Sequence, residues 1–155
     1  MKWRNDMATE KDKVIKFVAK LIELTQDGKV VWSTIEPRRT LKSHPDYPVD
    51  LVYVTEYKEK RLGLYRQRAD YVTLGSLLSG SFGTTGYSGF SGTSPQRNSR
   101  IGTILEMVDY SGNCLWTFPE VSGLQDLYDA VQYQVAGVKN YLDSVISDDK
   151  NDKNK

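Results

Sequence analysis

The 155-residue chain is 39% hydrophobic and 26% charged, with a formal net charge of +1. Residues 1–68 carry +5 and residues 69–155 carry −4, and this basic excess is far below that of a dedicated nucleic-acid protein. Its single cysteine, Cys114, and its single histidine, His44, exclude an internal disulfide and a zinc site built from several such ligands. No run of about 20 apolar residues is present, and the first residues lack the apolar stretch of a signal peptide, so we expect a cytoplasmic protein with no membrane span.

The first element reads as an amphipathic helix from about Glu10 to Asp27. Thr9 and Asp12 have the spacing of a capping box, and Gly28 supplies the left-handed residue that often follows a helix. The apolar residues that recur at helical intervals are Val14, Phe17, Val18, Leu21, Ile22 and Leu24. One face of this helix is therefore expected to pack on the core.

A short strand is predicted over residues 29–34, followed by a loop that contains three prolines. The next two strands, residues 51–57 and 61–68, flank the polar segment 58–60, which fits a hairpin with a three-residue loop. Pairing Tyr57 with Arg61 places one set of side chains toward the core, namely Val52, Val54, Leu62 and Leu64.

The same register places Tyr53, Tyr57 and Tyr65 on the other face of the hairpin, together with Arg61. Such a face is solvated, covered by a loop, or used for binding, and strand-favouring tyrosines on an ordinary half-exposed sheet are the simplest interpretation. Aromatic rings stack and arginines neutralise phosphate or carboxylate. The candidate binding set comprises Tyr53, Tyr57, Arg61, Tyr65, Arg66, Arg68, Arg38 and Arg39.

Residues 70–100 are rich in glycine and serine, and we expect a flexible loop there that becomes ordered only with a partner. A second hairpin is predicted from residues 101–109 and 114–118, with Gly112 in its turn. A long last helix follows, from about Gly123 to Ser147, with a repeated apolar stripe. Gly137 lies inside that helix, and a close helix crossing would explain it; residues 148–155 are expected to be disordered.

These elements predict an α+β fold, an antiparallel meander of four to five strands with the N- and C-terminal helices packed on one face. Residues 1–147 form one domain in this prediction, and the opposite sheet face remains free to meet a partner. No internal repeat or linker divides the chain.

Catalytic groups are scarce in this sequence. Cys114 is expected to be a partly buried structural thiol and His44 a surface imidazole, and nothing in the pattern brings the two together. Four carboxylates, Glu106, Asp109, Asp126 and Asp129, are expected to be solvated. We therefore predict no catalytic residue, no metal site and no cofactor.

Three segments, residues 118–131, Val54 to Tyr57 and Leu21 to Thr25, resemble a family of uncharacterised small bacterial proteins. The resemblance covers about two-thirds of the chain and implies the helix–sheet–helix order and a bacterial or phage source. It implies no activity and no catalytic residues.

The sequence thus favours a non-enzymatic binding or regulatory protein that acts through contact with another protein. The alternative is a protein that binds a nucleotide or single-stranded nucleic acid through the tyrosine and arginine face. Salt dependence separates these two hypotheses, because phosphate contacts release counterions.

Overall fold

The computed structural model describes the backbone of residues 2–43, 45, 47–71 and 98–152, and the side chains of residues 9–43, 45, 47–68 and 100–148. The elements in chain order are α1 (Lys2–Gln26), β1 (Ser33–Ile35), α2 (Arg39–Lys42), β2 (Val52–Tyr57), β3 (Lys60–Tyr71), β4 (Asn98–Val108), β5 (Cys114–Thr117), α3 (Gly123–Val135) and α4 (Val138–Asp152). The predicted His44 loop residue and most of the predicted flexible segment 70–100 lie outside the described residues, but the ends of that segment, residues 70–71 and 98–100, belong to β3 and β4, so the prediction of a flexible loop was wrong there.

The five strands form one antiparallel sheet in the order β1-β2-β3-β4-β5, so the predicted α+β meander is confirmed. Every connection joins neighbouring strands, as local hairpins require. The first sheet face packs against α1 and α3 through a continuous apolar cluster. Its central members include Val18, Leu21, Leu62, Leu64, Leu105, Leu127 and Val131.

The second sheet face is also covered, which contradicts the expectation that it is free. The described residues of the segment between β1 and β2 cross it, and Leu41 and Val49 pack against Val52, Val54 and Tyr65. A backbone hydrogen bond of 3.0 Å from the Val49 amide to the Leu41 carbonyl closes this segment on itself. The loop predicted from its prolines is therefore a structural layer, because its few apolar side chains complete a second core.

The β2–β3 turn differs from the predicted three-residue loop. Tyr57 pairs with Lys60, and the turn contains only Lys58 and Glu59, with φ values of +49° and +64°. Two positive φ values are typical of a tight type I′ turn, which usually contains asparagine or glycine. Because lysine and glutamate give no such signal, the predicted register was wrong by one residue.

That one-residue difference reverses the sheet face of every β3 side chain relative to β2. Leu62 and Leu64 accordingly share the helix-covered face with Tyr53, whereas Val52 and Val54 lie on the second face. The β4–β5 hairpin agrees with its prediction. Gly112 has a φ of +83°, and the Asp109 carboxylate accepts hydrogen bonds from the Ser111 and Asn113 amides at 2.9 and 2.8 Å.

Both terminal helices differ from their predicted bounds. The first begins at Lys2, so Thr9 lies inside a helix and does not cap it. The predicted last helix is two helices, separated at Gly137, whose φ is +65°. An added Cβ there would meet nothing within 4 Å, so a left-handed break explains this glycine and a close crossing does not. The second of these two helices, α4, includes residues 148–152, which we expected to be disordered.

Candidate functional site

The tyrosines of the predicted binding face are not together. Tyr53 is buried in the helix-side core, where its ring meets the Tyr128 ring edge-on at 5.5 Å. Tyr57 is half-buried against the same core, and Tyr65 is buried on the opposite face. The predicted tyrosine face was therefore wrong, and its physical cause is the register of the β2–β3 turn.

The arginines of the candidate set are also divided. Arg38 and Arg61 line a cavity on the second face, while Arg66 lies against α3 on the first. Arg39 and Arg68 are exposed. Arg38, Arg61 and Tyr65 share the second face, whereas Tyr53, Tyr57 and Arg66 share the first, so the structure divides the predicted set between the two sheet faces.

The strongest polar constellation on the second face is an ion pair between Arg38 and Glu106. Two guanidinium nitrogens of Arg38 bond the two carboxylate oxygens of Glu106, the second at 3.3 Å from Nη2 to Oε2. The Glu106 side chain is only 2% exposed, and the Tyr65 hydroxyl donates to its Oε2 at 3.3 Å. The prediction of a solvated Glu106 was wrong, because Arg38 and Tyr65 together satisfy both carboxylate oxygens.

This arrangement shifts the pKa values of Arg38 and Tyr65. Hydrogen bonding to Glu106 raises the pKa of Arg38 above its ordinary value. Burial, with a smaller contribution from the Glu106 charge, raises the pKa of Tyr65 to about 12. The phenol therefore stays protonated at neutral pH and acts as a hydrogen-bond donor, not as a base.

A second charged cluster lies where β3 meets α3. The Arg66 guanidinium carbon is 4.1 Å from the centre of the Tyr128 ring, and Nη2 is 3.2 Å from the Asp129 carboxylate. Gln125 donates to the same carboxylate oxygen at 2.9 Å. These contacts attach α3 to the sheet. The face of the Arg66 guanidinium packs on Tyr128 and its edge bonds Asp129, so both are engaged within the protein.

The described residues supply little else for catalysis. Cys114 is exposed on the edge strand β5, which contradicts the predicted partial burial, and its Sγ lies 3.4 Å from the Thr117 hydroxyl. Within the described residues, no group of three or more His, Cys, Asp or Glu side chains is placed to hold a metal ion. The helices of that same part of the chain include none long and apolar enough to cross a membrane.

One surface was missed by sequence reasoning. After Gly137, the apolar stripe continues on α4, but it leaves the core. Tyr141 is 68% exposed, Ile146 57%, and both Leu142 and Val145 46%. The spacing of these residues was visible in the sequence; the left-handed break that separates them from the packed half of the stripe was not.

No family model, curated protein or solved structure matches the chain. The resemblance to small bacterial proteins and the bacterial or phage source therefore stay predictions. Any functional conclusion has to come from the geometry itself.

Proposed function

We propose that this protein is a non-enzymatic binding or regulatory protein that acts by contacting another protein through the apolar stripe of α4. The observation that carries the proposal is the exposure of that stripe. Val138, Tyr141, Leu142, Val145 and Ile146 recur at three- and four-residue intervals, the pattern of a helix face that is buried in a folded assembly.

The position of α4 strengthens this argument. All described side chains from Tyr141 to Asp148 are exposed, although the helix follows directly from the packed helix α3. A lone helix of about 15 residues is marginal in water, because most helical stability in proteins comes from packing an apolar face. A partner that covers the stripe would supply the packing that the rest of the described chain does not give.

Charge does not select the partner. Residues 138–155 contain four aspartates and four lysines, so this end of the chain has no net charge. We therefore expect a partner with an apolar groove that receives the stripe of α4.

Paired variants test this function. Leu142→Asp with Val145→Asp puts two charges into the stripe, whereas Asn140→Asp with Ser144→Asp puts the same charges on the opposite side of the helix. Affinity purification with chemical cross-linking from the native cell, followed by quantitative mass spectrometry, compares both with the wild type. We expect a partner cross-linked to α4 that is lost at least 10-fold with the stripe variant and kept with its control.

Equal recovery with the two variants would refute the proposal, as would the absence of any cross-link to α4. Light scattering at increasing protein concentration identifies self-association, in which case the partner is a second copy. Circular dichroism of each variant shows whether the fold survives. Changing Tyr53 or Tyr65 would be a poor test, because both side chains are buried and their loss would destabilise the core.

The nucleic-acid alternative needs exposed rings on which bases stack. Tyr53 and Tyr65 are buried on opposite sheet faces, so these two rings of the candidate set are not exposed for stacking.

A further inference from the structure

The second sheet face contains a cavity of about 110 Å³, bounded by the sheet, residues 35–41 and the β4–β5 turn. Five of its twelve lining residues are aliphatic, namely Ile35, Leu41, Val52, Val54 and Val108. Its charged lining residues are Glu36, Arg38, Arg61 and Glu106, so an aliphatic wall meets fixed charges of both signs.

The charges at this cavity do not cancel. Glu106 is neutralised by Arg38, and Glu36 forms an ion pair with Lys42. Arg61 makes one described hydrogen bond, from Nη1 to the neutral Tyr110 carbonyl at 3.0 Å. Glu56 lies opposite Arg61 on β2, but no ion pair between them is among the described contacts. The Arg61 guanidinium therefore keeps an unpaired positive charge, and its other N–H donors have no partner among the described residues.

We propose that this cavity binds a small aliphatic carboxylate, with the carboxylate on the guanidinium of Arg61 and the alkyl group against the aliphatic wall. Arginine presents paired N–H donors whose geometry matches a carboxylate. A cavity of about 150 Å³ holds the six non-hydrogen atoms of benzene, so 110 Å³ suits about four, as in acetate, and the end of a longer chain such as butyrate lies at the open mouth of the cavity. The site is independent of the α4 surface proposed above.

Because Arg38 pairs with Glu106, the Glu106 carboxylate does not compete with the ligand carboxylate for Arg61. If Arg38 were absent, the Glu106 carboxylate would repel an incoming anion within the same chamber. Arg38 is therefore a positioning residue here, and Arg61 is the group that touches the ligand. The part-buried Arg61 is the residue to change first, because it lies outside both apolar clusters.

Titration with sodium butyrate at constant ionic strength, followed by amide shifts in heteronuclear NMR, tests the proposal. We expect saturable binding with a dissociation constant of roughly 0.1–10 mM, a range that about six non-hydrogen atoms permit. The shifts should map to β2, β3 and the β4–β5 turn. Butan-1-ol has a similar shape without the charge, and we expect it to bind at least 10-fold more weakly.

Variants separate this site from general charge effects. Arg61→Gln should weaken butyrate binding at least 10-fold, while Arg68→Gln, which removes the same charge from an exposed position on the same strand, should change it less than 2-fold. Glu56→Gln should leave binding equal or tighter. If Arg61→Gln fails to fold, Arg61→Lys, which keeps the charge but loses the paired donors, should weaken binding several-fold. Unsaturable shifts, equal binding of butan-1-ol, or unchanged affinity in these Arg61 variants would overturn the proposal.

Discussion

Arg38, in the segment before α2, and Glu106, near the end of β4, form a two-point ion pair across 68 residues of sequence. The carboxylate is buried on a sheet face, where an unpaired charge would be very costly. The guanidinium and the Tyr65 hydroxyl satisfy it, and the same contact attaches the segment before α2 to the sheet. This pair therefore adds to the apolar contacts of Leu41 and Val49 that hold the second layer of the fold.

Loss of Arg38 should destabilise the protein strongly. Arg38→Met leaves Glu106 buried without its counter-charge, and we expect a decrease of about 3 kcal/mol in the free energy of unfolding. The measurement is urea unfolding followed by tryptophan fluorescence. Arg39→Met, at the exposed neighbouring position, should cost less than about 0.5 kcal/mol.

The double variant Arg38→Met with Glu106→Gln should recover much of that loss, because no buried charge is left uncompensated. If the double variant instead loses the sum of the losses of Arg38→Met and Glu106→Gln, the two side chains are not directly coupled.

Stability should fall in alkaline solution because of Tyr65. Burial and the Glu106 charge raise the pKa of this phenol to about 12, against about 10 in an unfolded chain. Its contribution is therefore complete below about pH 10 and is lost as the pH rises from 10 toward 12. Tyr65→Phe removes that loss, so the wild type's advantage over this variant should shrink between pH 10 and 11.5. A constant difference across that range would contradict the assignment.

Gln134 on α3 should contribute more stability than its polarity suggests. Its Oε1 accepts from the Trp32 amide at 2.9 Å, and its Nε2 donates to the Thr25 and Val30 carbonyls at 2.9 and 2.8 Å. Gln134→Leu removes the Gln134 partner of the Trp32 amide and of the Val30 carbonyl, while the Thr25 carbonyl keeps its bond from the Gly28 amide, and we expect a loss of about 2–3 kcal/mol in thermal or urea unfolding. Gln132→Leu, at an exposed site on the same helix, is the matched control, and equal losses would refute this role.

Replacing glycine by alanine usually stabilises a helix, but at Gly137 we expect it to destabilise the protein. Because its φ is +65°, Gly137→Ala should cost about 1 kcal/mol, and Gly137→Asn should cost less, since asparagine tolerates left-handed backbone. Calorimetry gives the change in melting temperature, and circular dichroism gives the helix content, which should stay constant. A more stable and more helical alanine variant would mean that α3 and α4 fuse into one helix.

Several parts of the fold were predictable because their signals are local. The apolar stripe of α1, the alternation in the strands and the turn at Gly112 all depend on residues close together in the sequence. The β2–β3 register was not predictable, because Lys58 and Glu59 adopt positive φ without a glycine to signal it. The binding face derived from that register therefore failed, although its residues were read correctly as strand residues.

The sequence by itself determined the order of a helix, an antiparallel meander and a C-terminal helical region, the two amphipathic helical stripes and the absence of a cysteine or histidine cluster. Tertiary structure alone decided that the segment with Leu41 and Val49 covers the second face, that Arg38 meets Glu106, and that half of the C-terminal stripe leaves the core. The physical reason is distance along the chain: periodicity and turn chemistry act over a few residues, whereas the partner of a buried charge is selected only when segments about 70 residues apart pack together.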